Sequence, residues 1–236
     1  MIYRQKFKIL SAICDHTDHL NIWGLAKIFQ ESADEHTALL NIGFDALMQN
    51  GQAWILTRFY YAINQMPTVG EEVEVSTWSK GHNGLLAFRD FQMKNSAGEV
   101  LACGSSCWAV INFNTRRVVR LHDMLNDFEH HPIEGTDRPT LNKIVFPTDA
   151  EVTKELDYDV HYSSIDHNHH TNNSEYLRWI CDTLDEPEKL RRIQIDYVTE
   201  TKLGEHVNVV RKDADGKSFF QITNPRGIAV NAVVEH

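Results

Sequence analysis

What this sequence lacks narrows it first. No stretch approaches the roughly 18–20 consecutive apolar residues that a membrane-spanning helix needs, so no span is expected. The opening residues, MIYRQKFKIL, are too short and too polar for a secretory signal, and a cytoplasmic protein is expected. Cysteine is sparse, with Cys14, Cys103, Cys107 and Cys181 the four in 236 residues. A chain of this length builds a core without disulfide staples, so these read as structural thiols. Cys103 and Cys107 stand in an apolar strand-like stretch, LACGSSCWAV, and no second Cys/His pair with zinc-ligand spacing accompanies them. Positive charge is also short. Lys and Arg number 23 against 33 Asp and Glu, a net charge of -10. Phosphate binding needs a basic surface, so nucleic acid is not expected as the main partner. Two local basic clusters remain, NTRRVVR over 114–120 and KLRR over 189–192.

What is present is ordinary for a globular chain: 42% hydrophobic and 24% charged residues. The length allows one large domain or two small ones, and an internal repeat favours two. RFYYAINQMPTVGEEVEV begins at Arg58 and RIQIDYVTETKLGEHVNV begins at Arg192, 134 positions later. Arg58, Gly70, Glu71, Val73 and Val75 match Arg192, Gly204, Glu205, Val207 and Val209. A second match lies upstream at an offset of 151: DHTDHLN from Asp15 and DHNHHTN from Asp166. Each heptad follows an alternating strand-like segment and precedes an amphipathic run. The first run is 22–40, with Ile22, Leu25, Ile28 and Phe29 at helical spacing; the second is 174–184, with Tyr176, Leu177, Ile180 and Leu184.

Each half therefore reads as strand, polar turn, helix and several antiparallel strands. The strands are expected near 53–65, 71–80, 84–95 and 99–113, then near 192–201, 205–212, 217–224 and 227–234. NSAGE and DADGK supply hairpin turns. Residues 42–52 fill the length difference between the copies, and 114–150 form a proline-containing connector with a short helix over 121–127. One helix per antiparallel sheet gives an α+β layer fold in which each sheet wraps a central helix. Two such units in tandem are expected to pack as an internal pseudo-dimer. The expected division is 1–135 and 136–236, and the expected state is a monomer or weak homodimer.

The polar heptad from Asp166 offers His167, His169 and His170 beside a carboxylate. A metal is nevertheless not expected, because adjacent His169 and His170 diverge on any regular backbone and no second ligand cluster follows. Asn172 with Glu175 three residues on resembles a capping box. A helix start exposes N–H groups and partial positive charge, which suits it to receive the oxyanion of an attacked acyl carbonyl. The two halves differ at the chemically informative positions. Glu200 corresponds to Met66 and Asn168 to Thr17. This asymmetry implies one catalytic centre, in the second half, with the first half free to line an apolar pocket.

The pattern Asp166-x-Asn168-x-His170-x-Asn172-Asn173-x-x-Tyr176, followed by Tyr197-x-x-Glu200, resembles the signature of acyl-acyl-carrier-protein thioesterases. The resemblance extends through WILTRFYYAINQMPTVGEEVEVSTW and RDFQMKNSAGEVLACGSSCWAVINFNTRRVVRL in the first half. It implies a tandem double hotdog fold and hydrolysis of the thioester joining a fatty acyl chain to the carrier's phosphopantetheine arm, with no cofactor. It places a catalytic set on Asp166, Asn168, His170 and Glu200, the acyl pocket in the first hotdog and the catalytic residues in the second. In this scheme Glu200 or His170 activates water. Asn168 holds the water or the carbonyl, Asp166 orients its neighbours, and N–H groups near Asn172 and Asn173 stabilise the oxyanion. Plant members of that family carry a cysteine just after the glutamate; here the position is Thr201, which favours activated water over a cysteine nucleophile.

Trp23, Leu25, Ile28 and Phe29 are the expected pocket lining, set against the alternative that they are plain core. Arg116 and Arg117 are the expected docking site for an acidic carrier. The alternatives are a hotdog hydrolase acting on acyl-coenzyme A and a non-catalytic module binding acyl chains or metal. A hotdog dehydratase fits the Asn-rich heptad and Glu200 poorly.

Overall fold

Alternating apolar residues broken by glycine turns dictate antiparallel hairpins here, and the chain follows that instruction twice. The computed structural model describes residues 1–125 and 128–235, and the chain divides into two units, Met1–Leu141 and Asn142–His236. The first contains β1 (Tyr3–Lys8), α1 (Ile22–Leu39), α2 (Phe44–Gln49), β2 (Gln52–Ile63), β3 (Glu72–His82), β4 (Ala87–Lys94), β5 (Val100–Asn112), the short β6 (Arg117–Val118) and α3 (His122–Leu125). The second contains β7 (Val152–Asp159), α4 (Asn173–Cys181), β8 (Arg192–Tyr197), β9 (His206–Ala214), β10 (Lys217–Asn224) and β11 (Gly227–Glu235). The expected helix over 121–127 is seen as α3, and Asn126 and Asp127 lie outside the described residues.

Strand order is the same in both units. It runs β1-β3-β4-β5-β2 in the first, with β6 beside β5, and β7-β9-β10-β11-β8 in the second. All of these pairings are antiparallel. The longest helix of each unit contacts the first and the last strand of that unit's order. In the first unit His36 of α1 stacks on Tyr3 of β1, while Phe29 stacks on Phe59 and Tyr61 of β2. In the second, Trp179 of α4 stacks on Tyr158 of β7, and Tyr176 meets Tyr197 of β8 edge-on. A flat sheet could not present both outer strands to one helix, so each sheet curls around its helix.

The repeat persists in individual backbone hydrogen bonds. The N–H of Ile9 donates to Glu71 O and that of Gly70 to Ile9 O; Val160 to Glu205 and Gly204 to Val160 are their counterparts. Leu20 donates to Pro67 O at 2.9 Å, and Thr171 donates to Thr201 O at 2.8 Å. Gly70 and Gly204, at φ 87 and 77, make the same left-handed turn, a conformation that glycine enters without a Cβ clash.

One strand ends earlier than its pattern suggests. β8 stops at Tyr197 rather than near 201, because the N–H groups of Val198 and Thr199 both converge on the Ala229 carbonyl (2.8 and 3.2 Å). The ladder cannot continue past such a shared acceptor, and the chain turns out of the sheet. Asn64 and Gln65 share Leu101 O in the same way after β2. The connector is fixed to each unit by a buried carboxylate: Asp90 accepts from Gly135 N–H (2.7 Å) and Asp196 from Ile144 N–H (2.8 Å).

Gly104 of β5 lies against the rings of Phe29 from α1 and Phe59 from β2. A Cβ there would stand 2.7 Å from Phe59 Cε1 and 3.0 Å from Phe29 Cε2. Both rings are stacked and buried, so they have little room to yield. Gly104→Ala should lower unfolding stability by about 1–3 kcal/mol, the range for overpacking a filled core, and a shifted denaturant midpoint at unchanged slope would measure it.

Candidate active site

The second unit's site is built where two loops meet. One leads from β7 into α4, and the other follows β8. In the first loop the Asp166 carboxylate accepts the Asn168 N–H at 2.8 Å, closing a small side-chain turn. Asp166 N–H donates to His170 O at 2.9 Å, and His169 takes a left-handed conformation at φ 63. The first unit repeats this geometry: Asp15 accepts from Thr17 N–H at 2.8 Å, Asp15 N–H donates to His19 O, and Asp18 has φ 61. Asp166 thus does in its loop what Asp15 does in a loop without Glu200's counterpart, and the turn is its structural work.

The bond from Thr171 N–H to Thr201 O holds the two loops in register. On the residues flanking that bond, His170 Nε2 lies 3.0 Å from Glu200 Oε2, while Lys202 Nζ lies 3.1 Å from Glu200 Oε1. His170 is 38% and Glu200 46% exposed, so the pair is open to an incoming molecule. A ring nitrogen facing a carboxylate must carry the proton. In the neutral imidazole this leaves the lone pair on Nδ1, which meets no protein group among the described residues. Asn168 is exposed on the same loop, two residues away; His167 and His169 are also exposed.

The helix start is more fully used than the sequence suggests. The Asn172 side chain caps α4, accepting from Ser174 N–H at 2.9 Å and Ser174 Oγ at 2.7 Å. Asn172 N–H donates to Ser164 O, and Glu175 N–H donates to Asn172 O, both at 2.9 Å. The expected capping box does not form. Ser164 already occupies the N–H that Glu175 would reach, and the buried Glu175 carboxylate turns to Arg178 Nη2 at 3.1 Å. Asn172 N–H is therefore committed. Asn173 N–H has no acceptor among the described residues, and the Asn173 carbonyl is fixed by the Tyr197 hydroxyl at 3.2 Å.

Thr201 points the other way from Glu200. It is fully buried, and its Oγ1 accepts from Asn224 Nδ2 at 3.1 Å. Asn224 Nδ2 also donates to Glu200 O at 2.9 Å, and Arg226 donates to the same carbonyl. Lys202, Asn224 and Arg226 were not foreseen as site residues. Lys202 could have been suspected from its position two residues after Glu200, whereas the turn after β10 has no local mark linking it to the site. Burial pushes the Cys181 thiol on α4 up to about 12, which keeps it protonated.

The first unit lacks the polar pair. His19 Nδ1 is turned into its own loop, 2.8 Å from Thr17 O, and Met66 stands where Glu200 does. That unit instead holds a cavity of about 190 Å³. Its apolar wall includes Leu40, Trp54, Phe88 and Trp108. None of the expected lining residues Trp23, Leu25, Ile28 and Phe29 belongs to it. Leu25, Ile28 and Phe29 are buried, and Phe29 is packed into the aromatic stack on the sheet. The cavity takes the other end of α1, through Ala33, Asp34, His36 and Thr37, and Leu40 just after it. Arg116 and Arg117 are exposed at the turn joining β5 and β6. Among the described residues no group of three or more His, Cys, Asp or Glu could hold a metal ion, and no helix is long and apolar enough to cross a membrane.

Comparison with known proteins gives the family and the fold. The family model for the acyl-ACP thioesterase N-terminal domain matches residues 1–128, and that for the C-terminal domain matches residues 148–232. The chloroplastic palmitoyl-acyl carrier protein thioesterase of Arabidopsis thaliana is 29% identical over 219 residues, covering 85% of this chain and 52% of that protein. The chloroplastic oleoyl-acyl carrier protein thioesterase 2 of the same plant is 24% identical over 256 residues, covering 99% of this chain and 69% of that protein. The chain thus spans about half the length of the first of these relatives. An acyl-ACP thioesterase from Bacteroides thetaiotaomicron superposes with a TM-score of 0.87 at 22% identity, covering 99% of this chain and 97% of that one. The 12:0-ACP thioesterase from Umbellularia californica superposes at 0.85 and 18% identity, covering 99% and 96%. At such identities the likeness speaks for the fold, the double hotdog.

The Asp166 turn needs an acceptor oxygen rather than a charge. Asp166→Ala should therefore cost about 1 kcal/mol of stability, the worth of an ordinary hydrogen bond, while Asp166→Asn should cost less than half of that. Thermal unfolding of the two variants compares them directly.

Proposed function

Because the chain belongs to the acyl-ACP thioesterase family, we propose that it hydrolyses the thioester between a fatty acyl chain and the phosphopantetheine arm of acyl carrier protein. Water adds to the carbonyl carbon, the C–S bond breaks, and free fatty acid and the carrier thiol leave. The observation that carries this reading is the 3.0 Å contact between His170 Nε2 and Glu200 Oε2, built in the second unit on a scaffold whose first-unit copy has Met66.

The groups divide the work as follows. Glu200 receives the His170 Nε2 proton in a hydrogen bond, which orients the ring and leaves Nδ1 to accept a proton from water. As the imidazolium forms, the adjacent carboxylate stabilises it. Lys202, Asn224 and Arg226 hold Glu200 in place from its side chain and carbonyl. Asn168 holds the thioester carbonyl or the water, and Asn173 N–H at the start of α4 meets the developing oxyanion. Asp166 shapes the loop that presents them. Thr201 takes no part in bond making, since its side chain is buried and bonded to Asn224. A thiolate leaves readily, so the scheme needs no metal.

The acyl chain belongs in the first unit's cavity, against Leu40, Trp54, Phe88 and Trp108 rather than Trp23, Leu25, Ile28 and Phe29. Arg116 and Arg117 offer the positive surface that an acidic carrier needs on a chain of net charge -10.

Glu200→Ala should reduce turnover by about 10²–10⁴, the usual worth of acid–base catalysis, with the thermal transition retained; near-normal turnover on carrier-bound thioesters would sink the assignment. Thr201→Ser keeps the buried hydroxyl and should retain turnover within a few-fold. Reversing charge at Arg116 and Arg117 should raise KM for carrier-bound substrate and leave a small thioester analogue unaffected. Equal effects on both substrates would remove the docking role.

A further inference from the structure

The cavity in the first unit contains a charge that an apolar pocket does not need. Arg89 of β4 forms part of its wall and is only 8% exposed. Its Nη1 donates to His36 Nδ1 at 2.9 Å and to Thr77 Oγ1 at 3.0 Å. Both acceptors are neutral. Among the described residues no carboxylate lies within ion-pairing distance of Arg89; of the two carboxylates that line the same cavity, Asp34 is exposed on α1 and attracts Arg89 from farther away, and Glu129 pairs with the Met1 amino group at 2.8 Å. Burial pulls the guanidinium down to about 10, which still leaves it charged at neutral pH.

His36 cannot compensate that charge. A guanidinium only donates, so the Nδ1 facing it must be the acceptor and the ring proton must sit on Nε2. Burial and the neighbouring Arg89 pull the His36 imidazole down to about 4, in keeping with a neutral ring. His36 is itself 1% exposed, and its buried Nε2 has no hydrogen-bond partner among the described residues. The cavity wall thus carries a cation whose two hydrogen-bond acceptors are both neutral. An unpaired buried charge is costly, and a ligand that brings an accepting oxygen removes that cost.

We propose that the cavity binds an apolar chain bearing an anionic or strongly accepting oxygen group, with a carboxylate as the best match, and that Arg89 selects it. The oxygen can come from a free fatty acid entering carboxylate first, or from the far end of an oxygenated acyl thioester. The second source rests on the reading that this cavity holds the acyl chain, whereas the binding site itself does not depend on hydrolysis.

Titration calorimetry at neutral pH with octanoate, 1-octanol and octylammonium, which share one chain length, tests the proposal on the intact chain. Octanoate should bind about 10- to 100-fold more tightly than octylammonium, as expected for a buried hydrogen bond to a charged group. Ala33→Trp, which fills the cavity, should abolish octanoate binding. Arg89→Met should bring the two ligands within about threefold, and Arg89→Lys should keep the preference for octanoate. Equal affinity of the wild-type protein for octanoate and octylammonium overturns the proposal without any variant, as does octanoate binding that survives Ala33→Trp. A parallel comparison of octanoyl thioester with the monothioester of octanedioic acid identifies the source. Faster hydrolysis of the diacid, lost in Arg89→Met, assigns the oxygen to the substrate. Competitive inhibition by octanoate without that gain assigns it to the free acid. If hydrolysis is absent while the octanoate preference holds, the catalytic reading falls and this one stands.

Discussion

A single backbone hydrogen bond, from Thr171 N–H to the Thr201 carbonyl, sets the second unit's chemistry. It is 2.8 Å long and joins two loops more than 25 residues apart in sequence. The His170–Glu200 pair and the cap of α4 each stand one residue from it. His170 precedes one partner, Glu200 precedes the other, and Asn172 follows the first as the cap of α4. Backbone hydrogen bonds hold the two loops in register, whereas two half-exposed side chains gain little from meeting each other. The His170–Glu200 contact is therefore a consequence of this frame rather than its cause. Asn224 and Arg226 reinforce it by holding the Glu200 carbonyl, and Thr201 anchors the frame by being buried.

The same frame exists in the first unit, where Leu20 N–H meets the Pro67 carbonyl at 2.9 Å. There it carries His19 turned into its own loop, with Met66 opposite. Two copies of a scaffold can diverge in this way because the frame is made of backbone. The side chains beside it can change from polar to apolar without altering the fold. The first unit's distinctive chemistry lies elsewhere, in a cavity where Arg89 and His36 stand among aromatic and aliphatic groups. One unit thus presents a polar pair at its surface, and the other buries a cation beside an apolar space.

Much of the fold was legible in the chain because its causes are local and repeated. Alternation of apolar residues located the strands to within a few positions. Gly70 and Gly204 marked the turns because only glycine enters that left-handed region freely, and the offsets of 134 and 151 reappear as paired hydrogen bonds. The contrast of Glu200 with Met66 singled out a residue that the fold brings to His170. Less legible was the end of β8, since the shared acceptor that stops it belongs to β11. The capping box failed for a similar reason: Ser164, from the preceding loop, reached the Asn172 N–H first. For Trp23, Leu25, Ile28 and Phe29 the choice between pocket lining and plain core stayed open in the sequence, because helical spacing reports which face is buried and cannot say whether protein or space lies against it.

Sequence alone therefore fixed the antiparallel plan, its duplication and the polar residues around position 170, because propensity, turn chemistry and charge are properties of short segments. Folding settled which of those polar residues are spent on structure and which stay available. Asp166 and Asn172 bond to their own backbone, Thr201 is buried, and His170 faces Glu200. It also placed Arg89 against His36, 53 positions away, in the wall of a cavity. Availability depends on which partner arrives from a distant strand or loop, and no local pattern encodes that.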